Sequence, residues 1–67
     1  MHISYKKLWK MLIDKDMNIM QLKEKAGISA ASVAKLGKDA NITTDVLIKV
    51  CEALDVKVGD IMETVDD

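Results

Sequence analysis

Few side chains in this sequence could do chemistry, and their types narrow which chemistry is open. One histidine (His2) and one cysteine (Cys51) stand far apart in the chain. A zinc site needs several His, Cys or carboxylate ligands. A nucleophilic enzyme needs nucleophile, base and oxyanion donors gathered in one pocket. Neither set can be assembled, so no catalytic residue, metal ligand or cofactor site is expected, and the chain is not read as an enzyme. The single Cys51 cannot form an internal disulfide and suits a small apolar core position. What remains is lysine, hydroxyl and backbone-amide chemistry. All 10 basic residues are lysine. Lysine neutralises anions as a compact point charge but lacks the rigid two-pronged donor geometry of arginine.

The lysines are not evenly spread. Residues 1–38 carry eight of them against Asp14, Asp16 and Glu24, a local charge of +5. Residues 39–67 carry Lys49 and Lys57 against eight acids, a local charge of −6. A net charge of −1 therefore conceals a polarised molecule, and such polarity sets which face meets a polyanion. The anion-binding candidates fall together. Asn18, Lys23, Ser29, Ser32, Lys35 and Lys38 lie within 21 residues, with Ala30 and Ala31 between the two serines.

A chain of this length is expected to form one small domain, residues 1–67. Apolar residues make up 49% of the chain with no Phe, so the core must be aliphatic. No apolar run reaches the roughly 18 to 20 residues of a membrane span, and no secretory signal is visible, so no membrane partner and a cytoplasmic location are expected. Leu8, Met11 and Leu12 form the stripe of a first helix, with Ser4 as its N-cap and Asp16 near its end. Asn18 and Gln21 have the spacing of a capping box, Met17 and Leu22 that of a hydrophobic staple, and Gly27 closes this second helix. Ser29 caps a third helix with Val33 and Leu36 inward. A fourth begins near Thr44, with Asp45 at its dipole-favoured start and a stripe of Leu47, Val50, Cys51 and Leu54. Val58, Ile61, Met62 and Val65 are spaced like a fifth. Trp9 lies off the first helix's stripe and is expected half-buried. The result is an all-α, five-helix domain. The one strand candidate is the alternating "MHISY", which could pair across a dimer, while residues 1–3 and 64–67 are expected to fray.

Residues 18–38 then read as a capped helix, a turn at Ala26-Gly27-Ile28-Ser29, and a second capped helix. This is helix-turn-helix geometry. Beyond the motif, Leu8, Met11, Met17-Asn18, Leu22, Val33, Leu36 and "DVLIKVCEALDVKVGDIM" (residues 45–62) extend the pattern. Together residues 8–62 resemble the phage-repressor and Cro-type helix-turn-helix family, the xenobiotic-response-element class of regulators. The resemblance implies a compact, lambda-repressor-like domain that binds double-stranded DNA, usually as a homodimer on a palindromic site. It also implies departures. The family often has Gln where Ile19 stands, a small residue at Lys23, Gly at Asp39, and Arg, Gln or Asn where Ala30 and Ala31 stand.

The DNA-binding residues implied are Asn18, Lys23, Ser29, Ala30, Ala31, Ser32, Lys35 and Lys38. The amides around Asn18 to Met20 and the lysines would hold phosphate. Alanine methyls can meet only thymine methyls and serine is indifferent to base identity, which favours modest or shape-led specificity. Two functions follow. One is a sequence-specific transcriptional regulator, a repressor, whose helix starting near Ser29 enters the major groove. The alternative is an accessory or antitoxin-like protein-interaction module using Ile19 and Met20.

Overall fold

The computed structural model describes residues 1–66. The element order is β1 (His2–Ser4), α1 (Lys6–Asp14), α2 (Ile19–Ala26), α3 (Ala30–Gly37), α4 (Thr44–Leu54), a 3-10 turn (Val58–Asp60) and β2 (Glu63–Val65). Most of these boundaries follow from local signals. Asn18 accepts from the Gln21 amide at 2.8 Å and Gln21 Oε1 accepts from the Asn18 amide at 2.9 Å, a reciprocal capping box. Thr43 caps α4 through the Val46 amide, with Asp45 in the first turn. The end of α1 follows the sequence expectation too, because Asp16 takes the left-handed conformation at φ 52° just beyond it.

The apolar stripes of the helices converge on one core. Tyr5, Leu8, Leu12, Leu22, Ile28, Leu36, Val50, Cys51, Leu54 and Ile61 are buried there. Met11, Met17, Val33 and Leu47 pack against them half-buried, and so does Trp9. Burial, then the Asp60 carboxylate, pushes the Cys51 thiol above its ordinary range. That keeps it a protonated, packed side chain at neutral pH.

The all-α, five-helix expectation is corrected at the C-terminus. Among the described residues there are four α-helices, one 3-10 turn and a two-stranded antiparallel sheet. Val58, which a fifth helix would turn inward, is 43% exposed. Gly59 weakens a helix by about 1 kcal/mol relative to Ala. The Lys57 amide donates to the Asp60 carboxylate at 3.0 Å, closing a short turn instead. The chain beyond it becomes a strand because a partner is available, with His2 opposite Val65, Ile3 opposite Thr64 and Ser4 opposite Glu63. "MHISY" therefore contains a strand, but its partner is the other end of the same chain. Residues 2, 3, 64 and 65, expected to fray, are paired, while Asp67 lies outside the described residues. Lys7 reinforces this closure by donating to the Gly59 carbonyl at 3.3 Å and lying 3.9 Å from the Glu63 carboxylate.

Ser4 is not the cap of α1 that its type suggests. The cap position is Tyr5, and Ser4 Oγ accepts only a 3.3 Å bond from the Lys6 amide. The support comes from far along the chain. Asp39 Oδ1 accepts the Tyr5 amide at 3.0 Å, and the Tyr5 hydroxyl donates to the Ala40 carbonyl at 2.9 Å.

Asp55 provides a contrast. It caps the C-terminus of α4 in the left-handed region at φ 56°, with its charge at the negative end of the helix dipole. Glycine adopts that conformation freely and carries no charge. Asp55→Gly should therefore raise stability by about 0.5–1 kcal/mol, seen as a Tm higher by roughly 2–8 °C. A lower Tm would show that the Asp55 carboxylate makes a stabilising contact of its own.

Candidate nucleic-acid interface

The turn between α2 and α3 is built from three residues with separate tasks. Gly27 ends α2 at φ 68°, ψ 36°, which reverses the chain at little steric cost. Its amide and that of Ile28 both donate to the Lys23 carbonyl, at 2.9 and 3.2 Å. Ile28 is buried under the turn at 7% exposure, which anchors the junction to the core. Ser29 then starts α3 from an extended conformation, and its side chain accepts from the Ser32 amide at 3.2 Å.

One face of α3 is inward and the other is open. Leu36 is fully buried, Val33 and Ser32 are half-buried, and Ala30, Ala31, Ala34, Lys35 and Lys38 are exposed. At about 100° per residue those five exposed positions fall within an arc of roughly 140°. The two lysines thus share a face with three methyl-only side chains. Ala34 was not singled out by sequence reasoning, although its i, i+4 spacing from Ala30 was available as a signal. Such a face has low relief, so its backbone can approach a groove floor closely. Its side chains offer hydrophobic contact to a thymine methyl and no hydrogen-bonded base readout.

The serines are more committed than their types alone suggest. Ser29 Oγ serves as the helix cap and lies 3.1 Å from Ser32 Oγ. A hydroxyl proton directed into that pair is not simultaneously available to a base or phosphate.

The start of α2 offers a second set of donors. The Asn18 amide, one of those expected to hold phosphate, is taken by Gln21. The amides of Ile19 and Met20, at the first two helical positions, lie outside both capping-box bonds and face the positive end of the helix dipole. Gln21 thus holds the cap from inside α2, whereas the resemblance places a Gln at position 19 for direct phosphate contact. Lys23 is half-buried at the flank of the inward face. Ile19 is half-buried against the core, and only Met20 stands out, at 55% exposure. The structure therefore does not present Ile19 and Met20 as one exposed apolar pair.

Asp39, the acid that stands where the family often has glycine, has a structural partner. Asp39 takes φ 54°, the conformation in which the resemblance places glycine, and its carboxylate accepts the Tyr5 amide. Burial, then this carboxylate, raises the Tyr5 phenol above its ordinary value of about 10. A raised phenol pKa means the folded state holds the proton more tightly than the unfolded chain. The associated stability is complete below pH 10 and falls as pH rises toward the folded-state value. Alkaline titration followed by circular dichroism should show a stability loss beginning near pH 10. Tyr5→Phe should weaken that step while lowering stability at pH 7 by about 1 kcal/mol through the lost bond.

Among the described residues no cluster of three or more His, Cys, Asp or Glu could hold a metal ion, and no helix is long and apolar enough to cross a membrane. A capped helix, a tight left-handed glycine turn and a second capped helix with an open, lysine-bearing face define a helix-turn-helix domain. Residues 7–67 match the Cro/C1-type HTH DNA-binding domain family, and the chain belongs to it. It is also similar to a solved structure, the crystal structure of the transcriptional regulator VanUg in form II. The two are 45% identical with a TM-score of 0.93, and the match covers 98% of this chain and 88% of that one. Among curated proteins no match is found.

Proposed function

We propose that this chain is a sequence-specific transcriptional regulator that seats the start of α3 in the major groove of duplex DNA. The observation that carries this reading is the exposed arc of α3, where Lys35 and Lys38 are interspersed with Ala30, Ala31 and Ala34. The lysines supply phosphate attraction, and the amides of Ile19 and Met20 add a second anchor at the start of α2. Asn18 acts by holding that helix start, Ser29 by capping α3 through the Ser32 amide, and Lys23 by adding charge beside the motif. Base discrimination then rests on methyl contacts and on the sequence-dependent shape of the groove.

A domain of 32 × 24 × 17 Å occludes the DNA it covers, which makes repression the simplest output. The protein works in the cytoplasm as a homodimer on two half-sites. The VanUg likeness supports a role in transcription. The interaction-module reading rests on exposed apolar side chains, chiefly Ile13 at 74% and Met20 at 55%. Its Ile19 component is weakened by that residue's packing against the core.

Selection of bound duplexes from a random DNA pool, run beside a native mass measurement, tests this function. The expected result is an enriched two-fold-symmetric site with half-sites about 10 base pairs apart and a dimeric mass on DNA. A pool that emerges without enrichment would refute sequence-specific binding.

A further inference from the structure

The contact between Tyr5 and the segment after α3 has a consequence for the DNA-binding reading on which it rests. Tyr5 is 1% exposed and follows directly from β1, whose Ser4 is paired with Glu63. From this anchored place it bonds both sides of one peptide segment. Its amide donates to Asp39 Oδ1 at 3.0 Å and its hydroxyl to the Ala40 carbonyl at 2.9 Å, across 34 and 35 residues of sequence. The same segment closes α3, with the Lys38 amide on Lys35 O at 3.2 Å, Asp39 on Leu36 O at 3.4 Å and Ala40 on Lys35 O at 2.9 Å. Lys38, one of the two lysines on the open face, is therefore adjacent to the residue that Tyr5 holds.

We infer that Tyr5 and Asp39 are positioning residues for DNA binding, clamping the C-terminal end of α3 so that Lys35 and Lys38 keep a fixed place against the phosphate backbone. A long side chain on a loose helix end can still attract a phosphate, but ordering it then opposes binding. With the helix end already fixed, less ordering remains to be done. An acid beside the phosphate path weakens DNA attraction by its charge. Its carboxylate is nevertheless engaged as an acceptor, and that engagement is what glycine at position 39 would forgo.

Three variants separate the charge from the clamp. Asp39→Asn removes the charge, keeps an acceptor for the Tyr5 amide and tolerates the left-handed backbone. Asp39→Gly removes both charge and acceptor without backbone strain. Tyr5→Phe removes only the hydroxyl bond. Affinity for a duplex of defined sequence is measured at several salt concentrations, at a temperature where circular dichroism shows every variant folded. Amide hydrogen exchange of each DNA-free variant is measured in parallel.

The inference expects Asp39→Asn to bind at least as tightly as the wild type, because it keeps the clamp and loses a repulsive charge. It expects Asp39→Gly to bind about 3- to 10-fold more weakly than Asp39→Asn, which shares its change of charge, and Tyr5→Phe to bind more weakly than the wild type by a similar factor. Their salt slopes should stay close to the wild type's, because both lysines keep their charge, and exchange at the amides of Lys38, Asp39 and Ala40 should be faster. Asp39→Gly binding as tightly as Asp39→Asn, with Tyr5→Phe as tight as a wild type that binds, would overturn the clamp while leaving the DNA reading intact. A wild type without salt-dependent DNA binding would overturn both, even if the exchange pattern followed expectation.

Discussion

Leu36→Ala should destabilise the domain by about 3 kcal/mol, within the roughly 2–5 kcal/mol span of buried leucine truncations. Leu36 is fully buried and is the most deeply seated residue of α3, with Val33 packed half-buried beside it. Removing its branched end leaves a cavity that the surrounding core can fill only by moving. A chain of 67 residues has a total stability of only about 3–10 kcal/mol at typical values per residue. The loss is thus a large fraction of the whole, and the Tm should fall by roughly 10–25 °C. Urea unfolding should show a lower midpoint with little change in slope. Exposed apolar positions provide the control, and Ile13→Ala should change stability by less than about 0.5 kcal/mol. A Leu36→Ala protein as stable as the wild type would mean that α3 is not seated on this core.

The second large effect is on binding. Lys35→Glu combined with Lys38→Glu replaces two attractive charges on the open face of α3 by two repulsive ones. Both lysines are exposed, so folding should be nearly unaffected. DNA affinity should fall by about 10²-fold or more at moderate salt, across all duplex sequences alike. The salt slope should become shallower by about two per protomer. Lys7→Glu is the control for a charge reversal elsewhere, with half the change in charge. Lys7 is held toward Glu63 and the Gly59 carbonyl, so its effect on DNA binding should be far smaller. Equal losses from Lys7→Glu and the double substitution would place the DNA elsewhere than on α3.

The parts of this molecule legible in its sequence are those fixed by neighbours within a turn or two of chain. Asn18 with Gln21, Gly27, Ser29 and Asp45 each act on backbone groups three or four residues away or nearer, and their types announce the role. The helical stripes through Leu8, Leu22, Leu36 and Val50 were equally readable, because burial on one face leaves a periodic trace.

What failed was non-local. Val58, Ile61, Met62 and Val65 have helical spacing, yet the conformation there is decided by pairing with His2–Ser4 at the opposite end of the chain. The β-branched Thr64 and Val65 were the available hint of a strand. Asp39 was legible only as an acid in an awkward place, since its partner Tyr5 lies 34 residues away. At the candidate interface, residue types foretold the Ala30–Ala31 surface and the two lysines. They did not reveal that the Ser29 and Ser32 hydroxyls lie within hydrogen-bonding distance of each other.

In the proposed function this domain holds duplex DNA through lysines and helix amides on the helix-turn-helix face. The most direct test of that function is the dissociation constant for duplex DNA across a series of salt concentrations. With about 3 to 5 phosphate contacts per protomer, a log–log plot of association constant against salt should slope by roughly −3 to −9, according to whether one or two protomers bind. A slope near zero on every duplex tried would contradict the account.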